Sequence, residues 1–161
     1  KAGTVFESAA AVALDGNLEG EMLRDATEIL SDKMLFYDPV SANKAHRAKA
    51  CIGRFHSIKP NLIEAEVLSG MKIETDEELR NAARYFLDKG VKNVYITLNC
   101  DGVYFKNKEK EGVQKVFGTL DLFVSLLETE IKYPILQGGI LPFWTPSLVL
   151  NAPLEALFLF L

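Results

Sequence analysis

The chain has 161 residues, 48% apolar and 25% charged, with a formal net charge of -4. That balance describes one globular domain large enough to bury a core and excludes a disordered chain. An acidic chain without a basic stripe gives no reason to expect nucleic acid as a partner.

Lys1 to Ser8 carries no initiator methionine and no signal-peptide hydrophobic region, so the chain reads as part of something longer. Ala9 to Leu14 is an alanine- and valine-rich run expected as a buried strand, ending in a turn at Asp15-Gly16-Asn17. Leu18 to Leu30 has helical periodicity, with Leu23, Ala26, Ile29 and Leu30 on the inner side. Met34 to Tyr37 is a second short strand, ended by Asp38-Pro39. Ala42 to Ile52 reads as a basic, alanine-rich helix, and Phe55 to Ile58 as a third strand.

Pro60 removes a donor and keeps Lys59 extended. Asn61 then stands at a helix N-cap with Glu64 three residues on, the spacing of a capping box. Leu62, Ile63, Val67 and Leu68 supply an apolar side, and Gly70 offers the stop. On spacing alone Asn61 and Glu64 are a helix cap. A helix entered from a strand is also where α/β proteins keep phosphate and metal chemistry.

Thr75 to Lys89 is the clearest helix: Thr75 caps it, Asp76, Glu77 and Glu78 fill its first turn, and Gly90 ends it. Its buried stripe is Leu79, Ala82, Ala83, Phe86 and Leu87. Val91 to Leu98 is a β-branched strand. After a turn at Asn99 to Gly102 the chain stays extended through Lys106, and Val103 to Val116 reads as a hairpin. Strands alternating with helices predict an α/β fold with a mostly parallel sheet flanked by helices. The polar groups after each strand, at Asp15 to Asn17, Asp38, Asn61/Glu64 and Asn99 to Gly102, would then meet at one sheet edge.

The cysteines, Cys51 and Cys100, lack metal-ligand spacing and are expected as reduced thiols in a cytoplasmic chain. Two histidines, His46 and His56, are too few and too scattered for a metal cluster. His56, in an apolar run, is expected to be a packed residue.

The run Lys59-Pro60-Asn61-Leu62-Ile63-Glu64 through Leu68-Ser69-Gly70 resembles the Asn-x-x-Glu segment of the ribokinase (PfkB-type) sugar and nucleoside kinases. Asp38-Pro39-Val40-Ser41-Ala42-Asn43-Lys44-Ala45 is similar to the pseudouridine kinase branch. The resemblance implies a ribokinase-like fold, ATP and Mg2+ as cofactors, and a nucleoside or sugar substrate. It gives Asn61 and Glu64 a water-mediated magnesium role. Asp15-Gly16-Asn17-Leu18 is similar to a segment that lies beside the family's sugar pocket, which puts Asp15 and Asn17 on the substrate side; without the resemblance it is a turn. Thr97-Leu98-Asn99-Cys100-Asp101-Gly102-Val103 resembles the family's Thr-Leu-Gly-x-x-Gly-Val nucleotide loop, giving Thr97, Asn99 and Gly102 the cofactor. Asn99 replaces the first glycine, and asparagine tolerates left-handed dihedrals better than most residues.

The family's Gly-Ala-Gly-Asp, whose aspartate is the general base, occurs nowhere in the sequence. The resemblance covers residues 5–117, a partial kinase domain, and 118–161 forms a divergent segment. There Gln137-Gly138-Gly139 is the one glycine pair, and Asp121 sits at an ordinary helix start. Prolines at 134, 142, 146 and 153 break the apolar runs too often for a membrane span. The bare apolar end suits either an altered terminus or homo-oligomer contact. The expected function is ATP-dependent phosphoryl transfer to a sugar or nucleoside hydroxyl, impaired here for want of the base. The alternatives are a non-catalytic nucleotide-binding or oligomerising remnant, or an unrelated α/β domain that binds a phosphorylated small molecule.

Overall fold

The structure, a computed structural model, describes residues 9–114. Six strands form one sheet in sequence order: β1 (Ala11–Asp15), β2 (Met34–Asp38), β3 (Ser57–Ile58), β4 (Asn93–Thr97), β5 (Val103–Lys106) and β6 (Glu111–Gln114). The first four are mutually parallel, and β5 and β6 add an antiparallel hairpin at the edge. Between the parallel strands run α1 (Gly20–Ile29), the single turn α2 (Ala42–Ala45), α3 (Leu62–Ser69) and α4 (Asp76–Lys89). The expected mostly parallel, helix-flanked sheet is the one found. Lys1 to Ser8, Lys115 and Val116 of the expected hairpin, and the segment 118–161 with Asp121 and Gln137 to Gly139 lie outside the described residues.

The period-2 alternation of the strands divides the interior. Val12, Leu14, Leu35, Tyr37, Ile58, Val94 and Ile96 join one large core with Leu23, Phe55, Leu68, Ala83 and Phe86. Ala11, Ala13 and Phe36 form a smaller cluster, on the other parity of β1 and β2 and therefore on the opposite face. Tyr37 stacks on Phe55, with centroids 4.7 Å apart, and so ties β2 to the approach to β3.

Two helices carry the signals read from sequence. Thr75 Oγ1 accepts from Glu78 N, Glu78 returns a bond to Thr75 N, and Gly90 closes α4 in the left-handed region at φ 118°. Leu79, Ala82, Ala83 and Phe86 are buried as expected, with Leu87 half-buried. The α3 cap at Asn61 and the left-handed stop at Gly70 are also as expected.

Other expectations are corrected. Ala42 to Ile52 is not one helix: after α2 it becomes two 3-10 turns, His46–Ala48 and Ile52–Arg54. Alanine propensity loses there to tertiary demands. Ala45, Ala48 and Cys51 are buried, and Gly53 passes so close to α4 that a Cβ on it would lie 1.9 Å from the Lys89 carbonyl oxygen. The third strand shrinks from Phe55–Ile58 to Ser57–Ile58, because Phe55 turns into the core rather than pairing. In α1, Ile29 is 78% exposed and Thr27 takes the inner position, its hydroxyl satisfied by the Arg24 carbonyl at 2.8 Å. In α3, Ile63 is exposed and Glu64 is buried.

The glycine crossing gives a stability test. Gly53→Ala should lose about 1–3 kcal/mol or more in urea unfolding, since backbone rather than a flexible side chain blocks the methyl group. Gly70→Ala, where open space surrounds the Cβ but φ is 74°, should lose only about 1–2 kcal/mol. Equal small losses at both would contradict the packing described.

Candidate functional site

The carboxyl ends of β1 to β4 place four loops along one edge. At β3 the chain leaves the sheet as Lys59-Pro60-Asn61 but stays hydrogen-bonded to both neighbours. Lys59 N donates to Tyr37 O at 2.9 Å, and Thr97 N donates to Pro60 O at 3.0 Å. Asn61 forms an isolated parallel bridge with Thr97 and is itself extended (φ -81°, ψ 178°). Helix α3 therefore starts from a fixed point between the ends of β2 and β4.

There Asn61 Oδ1 accepts from Glu64 N, and Asn61 N donates to Glu64 Oε2, both at 2.9 Å. The carboxyl group is carried into the interior, with Glu64 only 4% exposed. Burial pushes its pKa above the usual glutamate value; the Asn61 amide opposes this, Asp38 adds to it and Lys59 opposes it.

Asp38, Val40, Lys59, Asn61, Glu64 and Thr97 line an open cleft of about 250 Å³. Lys59 Nζ lies 2.9 Å from Asp38 Oδ2, with the lysine side chain only 21% exposed. The other Asp38 oxygen accepts from Val40 N at 3.0 Å. Ser41 N donates to Pro39 O at 2.8 Å, closing a three-residue turn around Val40 at φ 68°. A β-branched residue at that angle is strained, and strain of this kind collects at ligand-facing loops. The loop also presses on its neighbour: Gly16 N donates to Asp38 O, and a Cβ at Gly16 would stand 2.0 Å from Pro39 O.

The seven site residues expected from sequence divide between the cleft and its flanks. Asn61, Glu64 and Thr97 meet in the cleft. Asp15, though in register with Asp38 across the sheet, bonds with Asn17 in a local turn: Asn17 N reaches Oδ1 at 2.8 Å and Nδ2 reaches Oδ2 at 3.1 Å. Lys44 and Arg47 secure that turn, Lys44 through Asn17 Oδ1 at 2.6 Å and Arg47 through the carbonyls of Gly16 and Asn17. Asn99 and Gly102 shape the turn after β4. Asn99 takes the left-handed angle expected of it (φ 55°), and Gly102 sits at φ 103°, ψ -140°, a conformation only glycine adopts readily.

Sequence reasoning passed over the Asp38–Lys59 ion pair. Lys59 before a proline signals extended backbone, and nothing in its spacing announces a partner 21 residues away. His56 is a half-buried packed residue, with Nδ1 3.0 Å from Ser57 Oγ and the ring 5.9 Å from Phe36. Burial, then Lys92, lowers its pKa. Both cysteines are free. Among the described residues no group of three or more His, Cys, Asp and Glu side chains is placed to hold a metal by itself. No helix among them is long and apolar enough to cross a membrane.

Residues 3–119 match the pfkB family carbohydrate kinase description. The chain belongs to the PfkB family. It is 30% identical over 105 residues to a pseudouridine kinase of Escherichia coli strain K12, covering 65% of this chain and 34% of that protein. A Staphylococcus aureus ribokinase is 45% identical over 53 residues, covering 33% of this chain and 17% of the ribokinase. Among solved structures, one described as a candidate sugar kinase from Clostridium perfringens superposes with a TM-score of 0.70 at 35% identity. That superposition covers 81% of this chain and 45% of the other. An Arabidopsis thaliana ribokinase solved with ribose and ATP shares the fold (TM-score 0.56, 20% identity, 70% of this chain and 36% of that one). The chain spans about a third of the length of the pseudouridine kinase it matches.

The buried carboxyl group makes a pH prediction. Because its folded pKa is raised, the native state holds the Glu64 proton more tightly than the unfolded chain does. Stability is therefore lost as pH rises from the ordinary carboxylate range through the raised value. Glu64→Gln keeps a side chain suited to the third position of a capping box and removes the charge. The stability of the wild type relative to Glu64→Gln should be greater at pH 4 than at pH 7, measured by urea unfolding without added metal. A difference independent of pH would show that the carboxyl group is not desolvated.

Proposed function

We propose that the chain forms the nucleotide-facing segment of an ATP- and Mg2+-dependent kinase acting on a sugar or nucleoside hydroxyl, with pseudouridine as the substrate class. The observation that carries the reading is the Asn61–Glu64 reciprocal cap, which lines one cleft with Lys59 at the carboxyl ends of a parallel sheet. The match to a pseudouridine kinase supports the substrate class.

The oxygen donors present suit magnesium. Mg2+ favours one or two carboxylates with waters and substrate phosphates over an all-protein cage, and Glu64, Asn61 and Thr97 offer oxygens without such a cage. When bound, the ion would neutralise charge on the phosphates. Lys59 supplies a positive charge on the same cleft wall, and Asn61 fixes the Glu64 carboxylate through its backbone amide. Thr97, Asn99 and Gly102 border the nucleotide, and Asp15 and Asn17 border the substrate. Transfer then rests on positioning and charge stabilisation. With no Gly-Ala-Gly-Asp in its sequence, the 161-residue chain binds nucleotide without turning it over.

Calorimetric titration with ATP, with and without Mg2+, tests the reading. The wild type should bind in a magnesium-dependent manner, and Glu64→Gln should weaken the magnesium dependence about 10–100-fold with only a small change in stability. A folded chain that binds no ATP at any Mg2+ concentration rejects the proposal. Phosphorylated pseudouridine formed by the purified chain would overturn the claim that it does not turn over.

A further inference from the structure

Within that reading, on which this inference rests, Asp38 stands out as a carboxylate with two simultaneous tasks. Its Oδ1 accepts from Val40 N, holding the strained turn, and its Oδ2 pairs with Lys59 Nζ at 2.9 Å. Lys59 is anchored at its backbone by the hydrogen bond from its N–H to Tyr37 O, and its side chain is largely covered. A free lysine side chain has many rotamers, and ordering it on a ligand is entropically unfavourable. The Asp38 carboxylate meets that requirement beforehand by holding the ammonium group at the cleft wall. An ammonium group has three donors, so it can keep one on Asp38 while another meets an oxygen of a bound phosphate.

We propose that Asp38 is a positioning residue that holds Lys59 in place for the phosphates of the nucleotide. The proposal runs against the simplest electrostatic expectation. A carboxylate beside a polyphosphate site repels the ligand, so its removal on charge grounds alone tightens binding. The positioning role demands the opposite sign.

The experiment is a double-mutant cycle on the full chain, read as the ATP dissociation constant in Mg2+, with Asp38→Asn, Lys59→Met and the double variant. Asparagine retains an oxygen for Val40 N, and the unfolding transition of each variant checks that the turn survives. Asp38→Asn should weaken ATP binding about three- to fivefold and should have no further effect once Lys59 is methionine. In the absence of nucleotide, the 15N-labelled Lys59 ammonium signal, visible in the wild type, should broaden or vanish in Asp38→Asn; a merely structural role of Asp38 would instead keep its effect on ATP binding in the Lys59→Met background. Tighter or unchanged ATP binding by Asp38→Asn, with the wild type binding normally, overturns the positioning role alone. No ATP binding by the wild type removes the nucleotide reading and this inference together.

Discussion

The two hydrogen bonds exchanged by Asn61 and Glu64 fix the point from which the rest of the edge is built. A capping box usually lies at the surface, where it contributes about 1 kcal/mol to one helix. Here it is tied on both sides, through the Pro60 carbonyl to β4 and through Lys59 to β2, so a local helix signal becomes a junction of three elements. The same bonds let a carboxyl group enter the interior. Glu64 would be an unfavourable burial without the Asn61 amide and the nearby Lys59 charge.

Around that junction, close backbone approach does most of the shaping. Gly16 lies against the Pro39 carbonyl, which lets the loops after β1 and β2 touch and puts the Asp15–Asn17 turn beside the Asp38 turn. Gly53 lies against the end of α4, where the segment after the alanine-rich run packs backbone to backbone on the helix. The strained Val40 turn is sustained because Asp38 and Ser41 both bond across it. Positive and negative charge then alternate along the cleft as Asp38, Lys59 and Glu64, an arrangement suited to a charged ligand that brings its own cation.

Much of this was legible in the sequence because it is local. The caps at Asn61 and Thr75, the stops at Gly70 and Gly90, and the left-handed asparagine at position 99 depend on residues within a few positions of each other. The parallel order followed from alternating strands and helices, and with it the meeting of polar loops at one edge. What the sequence hid depends on distant partners. The short turns over Ala42 to Ile52 lead into a close approach of Gly53 to Lys89, 36 positions on, which nothing local announces. In α3, Leu62, Val67 and Leu68 keep the expected apolar side, while Ile63 is exposed and the capping bond carries Glu64 inward. Family resemblance points to Asn61 and Glu64; only the fold brings Asp38 to Lys59.

Whether the strand edge receives the nucleotide, as proposed, is decided by a map of backbone amide shifts on adding ATP and Mg2+ to the 15N-labelled chain. The largest changes should fall at Lys59, Asn61, Glu64 and Thr97, with smaller ones at Asn99 to Gly102 and little at the exposed end of α1. Shifts concentrated away from the cleft, or none in a folded sample, would contradict the account.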